Sequence, residues 1–302
     1  MRSDHLLGLS NSGFHRIHYT DRGDPAGGRV VICVHGLTRN CRDFDFLADA
    51  LAGDFRVVCP DVAGRGRSDW LVNKDDYIYP QYLADMNALI ARVSARPAPS
   101  GWLGKLGNFL RRRYGPRQIY WVGTSMGGIL GMLLAAMPGS PIRRLVVNDV
   151  GPLIPQASLQ RLVAYLGKDP RFKTYEELEA YVRQISAPFG PLNDAQWRHL
   201  TVHGAKQHED GNWGLSYDPE IAAPFRKSAV ADVDLWKYWD AITCPTLLLR
   251  GAESDLLLAK TASEMQTRGP RPQMVEFAGV GHAPMLMTDE QIRAVREFLL
   301  PD

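Results

Sequence analysis

A mostly parallel, doubly wound α/β sheet with an inserted helical cap is the fold class this chain predicts, and three observations carry that expectation. Short β-branched runs alternate with longer helical patterns along most of the sequence. Runs such as VVICV, RRLVV and TLLLR show little polar alternation, as strands do when both faces of a parallel sheet are covered. One interval, residues 152–241, breaks the rhythm with helical patterns and no convincing strand.

Taken in order, FHRIHYT at 14–20 alternates and opens the sheet as an antiparallel edge. Strands are expected at 30–35, 56–62, 119–123, 144–149, 246–250 and 273–277. Helical spacing marks 44–52, 81–93, 126–137, 257–267 and 289–300, so the connections read as right-handed crossovers. Inside 152–241 the clearest helices are 175–185 and 194–207, separated by turns at Pro188 and Pro191. An insertion following a strand end lies over the carboxyl edge of the sheet, where open α/β folds place their ligands. The organisation is therefore a catalytic core at 1–151, a cap at 152–241 and the core again at 242–302.

Composition bounds the function. The 302 residues are 45% hydrophobic and 23% charged, ordinary usage that excludes a disordered tail, a collagen-like fibre and a disulfide-stapled miniprotein. A formal net charge of +2 predicts no global attraction to nucleic acid or anionic membranes. Cys33, Cys41, Cys59 and Cys244 form no C-x-x-C and read as free thiols. The opening MRSDHLLGLSNSG is too polar for a secretory signal, and the apolar stretch 127–139 is too short for a transmembrane segment. The cytoplasm is the expected compartment.

One surface feature departs from that neutrality. From Trp102 to Arg117 the chain carries Lys105, Arg111, Arg112, Arg113 and Arg117 with no acid, while Trp102, Leu106, Phe109 and Leu110 follow helical spacing. Its functional reading is a basic amphipathic contact to a surface or a second subunit. Its plainer reading is a helix packed on its own sheet with arginines in water.

The strongest chemical signal is Gly123-Thr124-Ser125-Met126-Gly127, between a strand and a helical run. A serine there lies on a tight turn that exposes its hydroxyl, and glycines are needed because side chains would clash. Without that context the motif is only a turn with an inert serine. His35-Gly36 ends a buried strand, and the N–H groups of Leu37 and Met126 would then form an oxyanion hole. His35 precedes the serine in the chain and is read as holding that loop. The remaining partners are sought in later strand-end loops, in the order serine, acid, histidine. Asp255 in RGAESD and His282 in GVGHAPM fit that order. His282 would act as general base, and Asp255 would hold its tautomer. Asp149, in LVVNDVG, is the competing acid, read as a hydrogen-bonding group beneath the cap.

The succession HGL, DVAGRGRSD, GTSMGG, RGAESD and GVGH resembles the α/β-hydrolase superfamily over nearly the whole chain, and is similar to its capped bacterial serine carboxylesterases. The resemblance implies Ser125 as nucleophile, Asp255 as acid, His282 as base, and Leu37 and Met126 as oxyanion donors. It implies a metal-free, cofactor-free serine esterase acting on small-molecule or oligomeric esters. Position 125 excludes the relatives that use aspartate there. Serine-elbow relatives that cleave carbon–carbon bonds or act as cofactor-free haloperoxidases remain open, as does a non-catalytic receptor with a cap pocket.

Other candidates are weighed against plainer readings. Asp61 to Ser68 lacks the lysine and helix of a phosphate loop and reads as a strand-end turn bordering the site. His199 and His203 have metal-ligand spacing but no H-E-x-x-H, so with His208 they read as a solvated helix face. Leu256, Phe189, Trp213 and Trp236 are the expected lining of the substrate pocket.

Overall fold

In the computed structural model, residues 1–95, 117–227 and 231–300 are described. The sheet strands are β1 (Arg2–Ser10), β2 (Gly13–Arg22), β3 (Arg29–Val34), β4 (Arg56–Pro60), β5 (Gln118–Thr124), β6 (Ile142–Asn148), β7 (Thr246–Gly251) and β8 (Gln273–Phe277). They lie in the order β1-β2-β4-β3-β5-β6-β7-β8. Pairing is antiparallel for β1–β2 and β2–β4 and parallel from β4 through β8. The chain is an α/β-hydrolase fold.

Core helices are α1 (Asp45–Leu51), α2 (Tyr79–Ser94) and α3 (Met126–Ala135). Between β6 and β7 come α4 (Gln156–Tyr165), α5 (Tyr175–Ile185), α6 (Asp194–Gly204), α7 (Ala223–Lys227) and α8 (Trp236–Trp239). The core resumes with α9 (Ala259–Met265) and α10 (Asp289–Leu299). Alternate residues of the central strands enter opposite layers. Val30, Ile32, Trp121 and Leu248 pack with Met86 and Leu89 of α2 and Leu130 of α3. Val31, Cys33, Val122 and Leu249 pack with Leu47 and Leu51 of α1 and Val295 and Leu299 of α10. This two-sided burial is why the strand runs are continuously apolar.

Three features differ from the sequence reading. β1, and not the 14–20 strand, forms the sheet edge. Only Leu6 and Gly8 of β1 are buried, so it carries almost no core pattern to read. The 152–241 interval also holds short strands. Leu153–Ile154 pairs with Val233–Asp234, and Ala205–Gln207 pairs with Trp213–Leu215, which shortens the helix expected over 194–207. Finally, residues 102–116 of the basic stretch lie outside those described, and Arg117 at its end is buried. Its Nη1–H and Nη2–H donate to the carbonyls of Val93 and Pro25, so it ties the end of α2 to the core and adds nothing to a surface patch. Among the described residues no helix is long and apolar enough to cross a membrane.

Candidate active site

Ser125 follows β5 and opens α3 with φ +53° and ψ −116°, a strained conformation for a residue with a Cβ. The turn is this tight because its glycines are crowded. A Cβ on Gly123 would lie 2.1 Å from the Gly127 carbonyl oxygen, and one on Gly127 would lie 1.9 Å from that of Val34. Asn148 braces the turn: its carbonyl accepts the Ser125 N–H at 2.9 Å, and its side-chain amide donates to Thr124 Oγ1 and the Pro284 carbonyl.

His282, in the loop after β8, has Nε2 3.0 Å from Ser125 Oγ and Nδ1 2.8 Å from Asp149 Oδ2. A carboxylate only accepts, so the ring proton is on Nδ1, and Nε2 is free to accept the serine proton. Asp149 follows β6 and is fully buried. Its Oδ2 also accepts Ser254 Oγ–H at 2.7 Å, and its Oδ1 accepts the Gly251 N–H at 2.9 Å. Three donors satisfy this buried carboxylate.

Asp255 is not brought to His282, which corrects the expected acid. Its side chain is 59% exposed and pairs with Arg161 of α4 at 2.7 Å. Its carbonyl accepts from Ser158 and Arg161, so this turn anchors the β6–β7 insertion to the core. Both acids satisfy the chain order, and order alone cannot separate them. The local sequences do not separate them either: Asp149 sits in a polar Asn148-Asp149 step between Val147 and Val150, and Asp255 ends a polar turn before three leucines.

Gly36 lies beside the serine, since a Cβ there would meet Ser125 Cβ at 3.6 Å. His35 is wholly buried. Its Nδ1–H donates to the Gly36 carbonyl at 2.7 Å, and its Nε2 accepts the Val62 N–H at 2.9 Å. Burial pushes this imidazole below its ordinary value and keeps it neutral, as both bonds require. Among the described residues, no acceptor pairs with the N–H of Leu37 or of Met126, the first residue of α3. Unpaired donors on either side of Gly36 and Ser125 are what an anionic oxygen would need.

The turn after β4 borders the site as expected. Burial alone would raise the Asp61 pKa. Hydrogen bonding to His18, the nearby His35, and the N–H groups of Arg67 and Cys41 outweigh it and hold the carboxyl below the usual range. Arg65, which the sequence reading left unremarked, reaches from this turn to the Leu37 carbonyl at 2.8 Å.

The pocket expectation divides. Leu256 lies one hydrogen bond from Ser254, the partner of Asp149. Phe189 faces the Arg39 guanidinium at 5.6 Å, and Arg39 Cγ lies within 3.7 Å of the same Gly36 position that Ser125 borders. Trp213 instead packs on Tyr175 and bonds the Phe172 backbone, contacts internal to the insertion. Trp236 lies under Arg268 at 4.2 Å. Trp236 also packs against the core cluster that holds Met126.

The expected solvated histidine face is corrected too. His199 Nε2–H donates to the Arg42 carbonyl, and the His203 carbonyl accepts from Asn40, so α6 is fastened to the loop after β3. Asp45, His199 and His203 cluster closely enough to hold a cation. Asp45 is already committed to Arg22 and Arg42, which places two positive charges on that cluster. Burial, then Arg42 and His199, pushes the His203 pKa down to about 4.

Comparison with known proteins gives a consistent result. Residues 31–295 match the profile of the alpha/beta hydrolase family. The chain is 47% identical to a 3-hydroxybutyrate-oligomer hydrolase of Cupriavidus necator, over 96% of this chain and 94% of that one. It is 25% identical to an esterase of Mycobacterium tuberculosis, over 89% of this chain and 80% of that one. The crystal structure of an alpha/beta hydrolase from Novosphingobium aromaticivorans superposes with a TM-score of 0.81 at 35% identity, covering 98% of both chains.

Proposed function

This chain belongs to the alpha/beta hydrolase family, and from that premise we propose that it cleaves carboxylic esters through an acyl-enzyme on Ser125. The observation that carries the reading is the hydrogen-bonded line from Asp149 through His282 to Ser125. Ser125 Oγ attacks the ester carbonyl as its proton passes to His282 Nε2. The carbonyl oxygen becomes an alkoxide that accepts from the N–H groups of Leu37 and Met126, each worth about two to three powers of ten in rate. Asp149 holds the Nδ1–H tautomer and stabilises the imidazolium. Collapse of the adduct breaks the ester bond, and the alcohol leaves with the proton from His282. Water, deprotonated by the same Nε2, then releases the acid and restores Ser125.

The 47% identical relative supports an ester-linked oligomer of a short hydroxy acid as substrate. Cleavage there frees the carboxyl of one unit and the hydroxyl of the next. Residues 152–241 act as the cap in this reading. Their Pro188 carbonyl accepts the Gly281 N–H at 2.7 Å, next to His282, so the insertion closes over the base.

The test is labelling with a fluorophosphonate probe alongside hydrolysis of 3-hydroxybutyrate dimer and trimer, followed as released monomer. The parent should label at Ser125 and release monomer, and Ser125→Ala should do neither. A Ser125→Ala variant as active as the parent ends the proposal. Labelling without oligomer cleavage would retain the esterase and discard the oligomer.

A further inference from the structure

Arg65 is among the largest fully buried side chains of the protein. Among the described residues no carboxylate lies within ion-pair distance of it. A charge taken out of water without a counter-ion is costly, so its surroundings should show what compensates it. Those surroundings are dipoles and ring faces. Nε–H donates to the Leu37 carbonyl at 2.8 Å, and Nη1–H donates to the Ala63 carbonyl at 2.6 Å and Tyr82 Oη at 2.9 Å. Tyr82 and Tyr77 present their rings at 5.0 and 5.7 Å. The remaining nitrogen, Nη2, points at Met126 Sδ, 4.0 Å away.

We infer that Arg65 is a positioning residue for the oxyanion hole, supplying both the brace and the uncompensated charge behind its two donors. The inference rests on the acyl-enzyme reading above. Two of its contacts would serve the fold alone, because the Ala63 carbonyl is two residues away and the Tyr82 hydroxyl ties the turn to α2. The other two do not follow from that role. Leu37 and Met126 are 28 and 61 positions distant in the chain, and they are the residues assigned above as the oxyanion donors. Bonding the Leu37 carbonyl restrains the peptide on one side of that residue, and His35 holds the Gly36 carbonyl of the peptide that carries its N–H on the other. In the resting enzyme the guanidinium faces only neutral dipoles. When an alkoxide forms between the Leu37 and Met126 N–H groups, it becomes a negative charge facing a guanidinium that, among the described residues, has no carboxylate in contact with it. An interaction that strengthens only as the alkoxide forms raises kcat and leaves KM almost unchanged.

The experiment compares Arg65→Met, which keeps the stem and loses the charge, with Arg65→Lys, which keeps a charge and loses the Nε–H brace. Turnover of p-nitrophenyl butyrate is expressed per serine labelled by fluorophosphonate at completion, so unfolded protein does not enter. A trifluoromethyl ketone, which adds to the serine as an alkoxide, reports the hole directly. Arg65→Met should lower kcat by roughly 100-fold with KM within about threefold, and weaken the ketone by the same factor. Arg65→Lys should recover roughly tenfold of each loss. Unchanged kcat per labelled site in Arg65→Met overturns the inference. So does a fall in kcat without matching loss of ketone affinity. Failure of both variants to yield labelled sites also overturns it, because the guanidinium would then serve the fold. A parent that takes up no fluorophosphonate defeats the esterase reading itself, an outcome distinct from a labelled parent whose Arg65 variants match it.

Discussion

Replacing Asp149 with asparagine should remove nearly all turnover while leaving the chain folded. The carboxylate accepts from His282 Nδ1, Ser254 Oγ and the Gly251 N–H, and is fully buried. An asparagine keeps the volume but exchanges one acceptor for an NH₂. Turned toward His282, that NH₂ meets a proton unless the ring changes tautomer, and a ring protonated on Nε2 cannot take the serine proton. Turned toward Gly251, it opposes a donor. The φ of +57° at this position is tolerated by Asn as well as by Asp, so backbone strain does not confound the comparison. The corresponding exchange in a serine-protease triad lowers kcat about 10⁴-fold, which is about 5 kcal/mol of barrier. Asp255→Asn disturbs only an exposed pair with Arg161, worth about 0–1 kcal/mol of stability, and should leave kcat within about twofold. The assay is kcat for p-nitrophenyl butyrate, with near-ultraviolet circular dichroism showing that both variants are folded. A larger loss in Asp255→Asn than in Asp149→Asn would refute the reasoning. So would more than about a tenth of parental activity in Asp149→Asn.

Three further outcomes follow from the same geometry. Gly127→Ala places a Cβ 1.9 Å from the Val34 carbonyl oxygen and should destabilise the protein by roughly 3 kcal/mol or more, read by urea denaturation. His35→Phe strands the Val62 N–H and the Gly36 carbonyl, at about 1–3 kcal/mol for each buried group, and should reduce kcat because the Gly36 loop beside Ser125 loses its support. Stability should also fall as pH drops from about 6.5 towards 4. The folded His203 resists protonation until about 4, whereas the unfolded ring takes up its proton near 6.5, so acid favours the unfolded chain. The ring is half-buried, and solvent screening reduces the effect to on the order of 1 kcal/mol. Urea denaturation at several pH values should show this slope, flattened in His203→Asn.

The legible parts of the molecule share a physical character. Strands β3 to β7 were readable because burial on both faces leaves an apolar run, whereas β1, exposed along most of its length, left no such trace. The histidine pair on α6 was legible as a spacing but not as a fastening. Its partners, Asn40 and Arg42, come from a loop about 160 residues earlier in the chain. The pocket aromatics divided for the same reason. Trp213 is a large apolar residue in the right interval, and only packing shows that Tyr175 and the Phe172 backbone engage it.

What the sequence by itself determined is the elbow and its setting. The glycines of Gly123-Thr124-Ser125-Met126-Gly127 answer clashes within a few residues of the serine and with the adjacent strand. A local pattern therefore suffices to announce the turn. The order of strand-end loops likewise located His282. What only the tertiary structure decided is which acid meets that histidine and what the buried Arg65 touches. Asp149 is 133 positions from His282 and Asp255 only 27, yet it is Asp149 that reaches the ring. Parallel strands β6 and β7 bring the Gly251 N–H and Ser254 hydroxyl to the end of β6, a polar niche for a carboxylate. A niche assembled from distant segments leaves no spacing to read, and an exposed turn beside an arginine looks the same in one dimension.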